Sequence, residues 1–372
     1  MRRVPIRLKL TAALVVPLVG LLLVTFFEVR AVSRDVDDIK AQAELAEASL
    51  GPSSLLTALQ QERAAAAVHM IGLESEFALE MDYPDARVAM DRAVDRTRRW
   101  LDDDHEGTLS QAYTPSLDEL GALDDIRARV DAVPDASRNI GNAVEAGEVF
   151  DQYSMLMATL FDANREISFA IEDNGLRRGV DLYSLTAQQT NTLALLVRDL
   201  IIPAALQQRL DQPDLVAPVA RELAQLRAGE AAIRTKAEGA YAPLAATLLA
   251  TDHIVALPQL AQQALDTGTV PIDAVVENSL GTDADTFGYL VFRNAIGDEI
   301  TERADDAKAA ADARLQRYLV LALMATALAA LATWVVAMRA STRYRCRRAS
   351  AAALASSARS VISSPMALRN TR

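Results

Sequence analysis

Cysteine, histidine, proline, glycine and aromatic residues are all scarce in this chain. Its 372 residues include a single cysteine, Cys346, and three histidines, which excludes a disulfide framework and any cysteine-based zinc site. Thirteen prolines, fifteen glycines and 5% aromatic residues favour helices over a β sandwich or barrel. Hydrophobic residues make up 51% of the sequence, so the chain is not disordered by composition. We predict an all-α protein without a metal or other cofactor.

Motifs for catalysis are missing as well. The sequence contains neither a G-x-x-x-x-G-K-[ST] loop nor a G-x-G-x-x-G loop to bind nucleotide phosphates. His69 and His253 have no acidic or nucleophilic partner at a recognisable spacing. The acidic stretch 102–106 is an alternative cation site, although crowded carboxylates in a polar loop are more often solvated. We predict no enzymatic activity and no nucleic-acid partner.

Charge divides the sequence into three zones. The first 30 residues hold five bases and one acid, and the segment from Arg339 onward holds eight arginines and no acid. The zone between them, residues 31–317, carries 25 bases and 49 acids, a net charge of −24. Two uncharged apolar runs, residues 10–27 and 318–338, lie at the borders. Each is close to the roughly 20 residues that a helix needs to span a bilayer, so we predict two transmembrane helices.

The flanking charges predict the topology. The first run is longer than the apolar part of a signal peptide, about 7–15 residues, and no small-residue cleavage site follows it. Five arginines follow the second run within ten residues, a stop-transfer pattern rather than that of a buried core helix. The positive-inside rule then places both termini in the cytoplasm of a bacterial plasma membrane. The predicted order is a cytoplasmic N-terminus (1–9), a first span (10–27), an extracytoplasmic helical domain (28–317), a second span (318–338) and a basic, unstructured cytoplasmic tail (339–372) that contacts membrane lipid.

Hydrophobic spacing predicts a helical bundle in the exported domain. Two seams step alternately by three and four residues, as expected for bundle helices: Leu56, Leu59, Arg63, Ala66, Met70, Leu73, Phe77; and Phe150, Tyr153, Met157, Leu160, Asn164, Ile167, Ile171. A third stripe, Leu117 to Val130, follows Thr114 and Pro115, which we interpret as a helix N-cap and first turn. Breaks at Gly147, Gly175 and elsewhere leave about eight helical segments. We predict two four-helix bundles, about 53–175 and 176–317.

The most informative residue is Arg63, which lies on the first seam between Leu59 and Ala66. An arginine on a core-facing seam needs partners for its N–H donors, because burying an unpaired charge is unfavourable. Three interpretations stay open at this point. In the first, Arg63 forms an internal ion pair with Glu62 or with an acid from another helix. In the second, the seam turns away from the core along the helix and Arg63 extends into solvent. In the third, its guanidinium holds a ligand anion between helices.

The residues around Arg63 resemble a known family. Leu59–Arg63 reads Leu-Gln-Gln-Glu-Arg, similar to the L-Q-x-E-R signature of the nitrate- and nitrite-sensing domain of bacterial transmembrane receptors and sensor histidine kinases. Gly147–Tyr153 also resembles a helix that closes the first half of that domain. The resemblance extends from Leu55 to about Arg303. It implies an all-helical domain of two four-helix bundles that binds nitrate or nitrite outside the membrane.

The resemblance also implies which residues bind the ligand. The arginine of the signature is Arg63, and a second arginine is expected from the later half of the domain. The candidate is Arg198, which with Asp199 supplies the only charge in the apolar stretch 193–206. The family often has an E-R-G-like signature in this later helix, whereas this chain reads Leu-Leu-Val-Arg-Asp-Leu. Asp199 is therefore an alternative partner for Arg198.

The segment after the second span is too short for an output domain. Only 34 residues follow residue 338, so we predict a receptor that lacks the HAMP and kinase parts of a sensor histidine kinase. We predict a kinase-less or truncated membrane receptor, a homodimer that signals through a separate histidine kinase or another cytoplasmic output protein. Two alternatives stay open: a membrane-anchored interaction or structural protein that binds another protein and no small molecule, and an adaptor beside a transporter.

Overall fold

The protein is predominantly helical in the part that the structure, a computed structural model, describes: residues 6–48, 50, 53–72, 82–103, 107–280 and 288–362. No strand occurs in these residues, which confirms the all-α prediction. The α-helices are α1 (Ile6–Ala48), α2 (Ser53–Ile71), α3 (Tyr83–Asp103), α4 (Thr108–Glu119), α5 (Leu123–Asp131), α6 (Ala143–Ala170), α7 (Asn174–Ala205), α8 (Pro213–Lys236), α9 (Tyr241–Leu249), α10 (Asp252–Thr267), α11 (Ile272–Leu280) and α12 (Gly288–Ile362).

Packing divides the chain into two compact units, residues 39–309, and residues 1–38 together with 310–372. In the unit 39–309, α2 packs on α3 and α6, and α4 also packs on α6. Farther along the chain, α7 packs on α8, α10 and α11, and α6 packs directly against α7. The predicted division of this unit into two four-helix bundles stays a prediction.

The two predicted seams lie on helices α2 and α6 and face the core. The members Leu56, Leu59, Ala66 and Met70 of the first seam are buried, and its predicted end at Leu73 and Phe77 lies outside the described residues. All seven members of the second seam are buried as well. Core-facing spacing of this kind therefore identified the packed face of both helices correctly.

Two predicted helix boundaries are wrong. The segment before Pro115 is already helical, because α4 begins at Thr108, and the hydroxyl of Thr114 donates a hydrogen bond to the carbonyl oxygen of Ser110 inside the helix. Gly147 is not a break either, since it lies within α6. A Cβ atom at Gly147 would lie 2.6 Å from Cδ1 of Ile202 on α7. This glycine lets α6 and α7 approach each other closely instead of ending a helix.

The boundary predicted near Gly175 corresponds to the turn between α6 and α7. Asp173 is the N-cap of α7, and its side chain accepts hydrogen bonds of 2.8 Å from the backbone N–H groups of Gly175 and Leu176. An aspartate in this position satisfies N–H groups that have no partner within the helix. The chain therefore starts a new helix here.

Helix α12 is longer than the sequence suggested. It continues through Ile362, whereas an unstructured tail was predicted from Arg339. The alanine-rich composition of residues 349–358 explains the difference, since alanine has the highest helix propensity. Residues 363–372 lie outside the described part of the chain.

One described helical stretch, Tyr289–Val336, is long and apolar enough to cross a membrane. A second would count if the bent pair Tyr241–Leu249 and Ile254–Thr267 formed one span, but Leu248, Ile254 and Leu257 of this pair are buried in the core. The predicted first span, residues 10–27, falls within α1, and the side chains of residues 10–18 lie outside the described part.

Gly179 on α7 provides a test of the packing between helices. A Cβ atom there would lie 2.4 Å from Oη of Tyr241 on α9 and 2.7 Å from Cγ1 of Ile300 on α12. We expect Gly179→Ala to lower the free energy of unfolding by about 1–3 kcal/mol through overpacking. Thermal unfolding of the full chain, followed by circular dichroism, measures the change. Gly121→Ala is the matched control, because no atom lies within 4 Å of its added Cβ. Equal stability of the two variants would contradict this packing.

Candidate anion-binding site

Arg63 on α2 is one of the most deeply buried side chains of the described residues, with 1% of its surface exposed. Its Nη1 donates hydrogen bonds to Oγ of Ser154, at 2.8 Å, and to Oδ1 of Asn191, at 2.5 Å. The guanidinium carbon lies 4.0 Å from the centroid of the Phe150 ring. Nε has no hydrogen-bond partner among the described residues. Neutral groups from α6 and α7 therefore hold Arg63 in place without neutralising its charge.

The neighbouring acid, Glu62, is paired elsewhere. Its two carboxylate oxygens accept hydrogen bonds from Nε and Nη2 of Arg127 at 2.7 and 2.8 Å. The hydroxyl of Tyr153 donates a third bond, at 2.8 Å, and Nη1 of Arg127 also binds Asp91. An ion pair between Arg63 and Glu62 is thus not formed, and burial also excludes the interpretation in which Arg63 extends into solvent.

A second buried arginine, Arg293 on α12, was missed by the sequence analysis. It is 2% exposed, and its Nη2 donates a hydrogen bond to Oγ1 of Thr57 on α2. Its guanidinium carbon lies 5.7 Å from the centroid of the Tyr183 ring. Its Nε and Nη1 have no hydrogen-bond partner in the described part of the chain. Like Arg63, Arg293 has neutral neighbours and unused N–H donors.

The two arginines line the same cavity, whose volume is about 380 Å³. The described lining consists of Thr57, Gln60, Gln61, Arg63, Ala64, Ala65, Asp82, Asp85, Ala86, Ala89, Thr190, Ala194, Leu290 and Arg293. Asp82 and Asp85 are exposed, whereas both arginines are buried. The buried part of the cavity is therefore cationic and rich in hydrogen-bond donors, a combination that suits a small anion with several acceptor oxygens.

Electrostatics supports the same conclusion. Burial, and next the positive charge of Arg198, lower the pKa of Arg63 from its ordinary value to about 9. Burial also lowers the pKa of Arg293 below its ordinary value, although Tyr183 acts in the opposite direction. Both arginines stay protonated at neutral pH, but their charged forms are destabilised by desolvation. A negative charge between them would offset that cost.

Arg198, the second predicted ligand residue, lies in a different environment. Its Nε and Nη2 bind Oδ1 of Asp199 at 2.7 and 2.6 Å, and its Nη1 binds Asp151. Its guanidinium carbon is 5.7 Å from the Phe150 ring centroid, and it lines a separate cavity. The structure thus brings Arg198 near Arg63 through Phe150, but two carboxylates occupy its donors. Its ligand role stays a prediction.

The signal that could have found Arg293 is the one that identified Arg63. The start of α12 carries an apolar stripe at helical spacing: Tyr289, Phe292, Ile296, Ile300 and Ala304, all buried. Arg293 directly follows Phe292 and lies on the core side of this stripe, four residues before Gly297. A search for arginines on every buried stripe, and not only on the helix after the first span, would have included it.

The alternative cation site receives no support from the described residues. No group of three histidine, cysteine, aspartate or glutamate side chains suited to a metal ion occurs among them. Residues 104–106 of the acidic stretch lie outside the described part. Asn164, on the second seam, accepts a hydrogen bond from the hydroxyl of Tyr113 and so joins α6 to α4.

Asp199 predicts a pH dependence of stability. Burial raises its pKa above the ordinary 3.8, Arg198 lowers it, and the nearby Glu222 raises it again. A folded-state pKa above the unfolded value means that folding favours the protonated form. Its stabilising contribution is complete below the ordinary pKa and is lost as pH rises through the folded-state pKa. Relative to Asp199→Asn, the wild type should therefore lose melting temperature as pH rises above about 4. A melting temperature of the wild type that rises relative to the variant over this range would show that Arg198 outweighs burial, and a constant difference would show that the two effects cancel.

Comparison with known proteins agrees with this geometry. The family model described as nitrate and nitrite sensing matches residues 54–318, more than two thirds of the chain. No curated protein and no solved structure matches the sequence. The match begins one residue before the predicted start of the resemblance, and it includes both Arg63 and Arg293. The chain belongs to the nitrate and nitrite sensing family.

Proposed function

We propose that this protein is a membrane-bound receptor whose helical domain binds a small oxyanion, nitrate or nitrite, between Arg63 and Arg293. One observation carries the proposal: two buried arginines without a described carboxylate partner line one cavity. Buried charges in proteins are normally paired. An anionic ligand supplies the missing partner, and the family to which the chain belongs supplies its identity.

The chemistry of the donors fits a small planar oxyanion. The guanidinium group is planar and presents its N–H donors in a fixed fork, which matches the oxygens of a planar anion. Three guanidinium nitrogens have no hydrogen-bond partner among the described residues: Nε of Arg63, and Nε and Nη1 of Arg293. Ser154 and Asn191 fix the orientation of Arg63 in advance, so little side-chain entropy is lost on binding.

The position of the two arginines suggests how binding becomes a signal. Arg63 lies on α2 and Arg293 on α12, so an anion bound by both guanidiniums would draw the two helices into a closer arrangement. A ligand that binds the closer arrangement more tightly shifts the population towards it. Helix α12 also contains the apolar segment 318–338. We infer that the receptor has no catalytic activity, forms a homodimer, and passes the change to a separate histidine kinase or another cytoplasmic output protein.

Exposed apolar side chains support the two-span topology. In α1, side chains that are 42–65% exposed include Val19, Leu22, Leu23, Val24, Phe26 and Phe27. In α12, side chains that are 42–70% exposed include Leu319, Val320, Leu321, Leu323, Leu328, Leu331 and Trp334. Contiguous apolar surface of this kind is unfavourable in water but suits the hydrocarbon core of a bilayer. The proposed location is a bacterial plasma membrane, with both termini cytoplasmic and residues 28–317 extracytoplasmic.

Nitrate titration into the detergent-solubilised full chain tests the ligand site. We expect saturable calorimetric binding of nitrate or nitrite that chloride does not reproduce. Arg63→Met and Arg293→Met, which keep the side-chain volume approximately, should each weaken binding by about 10- to 150-fold, since a hydrogen-bonded charge contributes about 1.5–3 kcal/mol. An intact helical spectrum without any binding would instead favour a membrane-anchored interaction protein.

A double variant decides between Arg293 and Arg198 as the second ligand residue. Arg198→Gln combined with Asp199→Asn removes an ion pair without leaving a buried charge behind. If Arg293 is the second nitrate-binding residue, the double variant keeps the nitrate affinity of the wild type within a few-fold. A loss as large as that of Arg63→Met would assign the role to Arg198.

The single cysteine allows a direct test of topology. In intact bacterial cells, a membrane-impermeant maleimide should leave Cys346 unlabelled until the membrane is permeabilised. In a Cys346→Ser background, Ala136→Cys, at an exposed position of the helical domain, should be labelled without permeabilisation. Lys9→Cys should behave like Cys346. Labelling of Lys9→Cys in intact cells would contradict the first span.

A further inference from the structure

A second cavity in the unit 39–309 differs from the arginine site in its chemistry. Its volume is about 130 Å³, and most of its lining is apolar. Small residues of α2 and α6 leave the space open, among them Ala67, Ala143, Ala146 and Gly147, and larger side chains of α7 close the opposite wall. An engineered apolar cavity of about 150 Å³ in another protein stays dry and binds benzene. The cavity therefore has the size of one small ring.

Most polar groups of this cavity are already engaged. The hydroxyl of Thr190 donates a hydrogen bond of 3.1 Å to the carbonyl oxygen of Thr186. The hydroxyl of Ser279 donates a hydrogen bond of 2.6 Å to the carbonyl oxygen of Val275. The guanidinium of Arg198 is held by two carboxylates. Because these polar groups already have partners, they do not favour the binding of a charged ligand.

Tyr289 is the exception. Its side chain is 1% exposed and lines the cavity, and its hydroxyl has no hydrogen-bond partner among the residues that the structure describes. A buried O–H donor without an acceptor is unfavourable. A ligand that brings one acceptor atom into an otherwise apolar cavity would satisfy it.

We propose that this cavity is a second ligand site, for a small uncharged molecule with an apolar body and one hydrogen-bond acceptor, which Tyr289 recognises. Apolar walls contact the body of the molecule, and the phenol hydroxyl donates to its acceptor. The site is separate from the nitrate site in its ligand chemistry and does not depend on nitrate binding. The two cavities nevertheless share wall residues, Ala64, Thr190 and Ala194.

A pair of nearly isosteric probes tests the proposal. Fluorobenzene and 3-fluoropyridine are both uncharged at pH 7 and differ in one ring position, where the pyridine nitrogen is an acceptor. Binding of each to the full chain in detergent is measured by fluorine NMR, with detergent alone as the reference for partitioning. We expect both probes to bind. Tyr289→Phe should weaken 3-fluoropyridine by about 3- to 10-fold, as expected for one hydrogen bond, and leave fluorobenzene unchanged.

Variants of the cavity wall locate the binding site. Ala146→Leu fills the cavity and should abolish the binding of both probes, and Ala67→Leu serves the same purpose if the first variant does not fold. Arg63→Met should leave both probes bound, because Arg63 lines only the other cavity. Absence of probe binding to the folded wild type, or binding that survives both filling variants, would overturn the proposal. An equal effect of Tyr289→Phe on the two probes would refute the recognition by Tyr289.

Discussion

The ion pair between Glu62 and Arg127 determines the character of the arginine site. Two charged residues adjacent in sequence, Glu62 and Arg63, are both buried on α2, and the simplest arrangement would be for them to neutralise each other. Because Arg127 binds both oxygens of Glu62, with Tyr153 as an additional donor, Arg63 keeps an uncompensated charge. A buried, fully hydrogen-bonded pair is thus the reason that its neighbour can serve as a receptor group.

How much of this was predictable depends on how far apart the partners lie in sequence. The all-α class, the buried faces of α2 and α6, and the position of Arg63 on a core-facing seam followed from local spacing, because helical periodicity is a property of neighbouring residues. Arg293 lies 230 positions after Arg63, and nothing in local spacing shows that α12 passes beside α2. Gly147 was misread for the same reason, since its function is to admit Ile202 from another helix.

Arg198 illustrates the limits of reading a single apolar stretch. Its isolation among apolar residues correctly indicated an unusual environment, and the alternative pairing with Asp199 is present in the structure. The contribution of Asp151 was not foreseeable, because it comes from α6. Phe150 lies near both Arg63 and Arg198, so α6 supplies an aromatic surface to one arginine and a carboxylate to the other.

The lining of the arginine cavity has a further consequence for a receptor exposed to changing surroundings. Two carboxylates, Asp82 and Asp85, accompany the two guanidiniums, so the formal charge of the described lining is zero. Beyond a screening length of about 8 Å at physiological ionic strength, an approaching anion meets little net attraction from this cavity, and the surrounding residues 31–317 are acidic. Discrimination must then occur at contact, through donors that only a correctly shaped anion can engage. If this cavity binds an anion as proposed, the shape of the anion and the placement of its acceptor atoms select it, and long-range attraction does not.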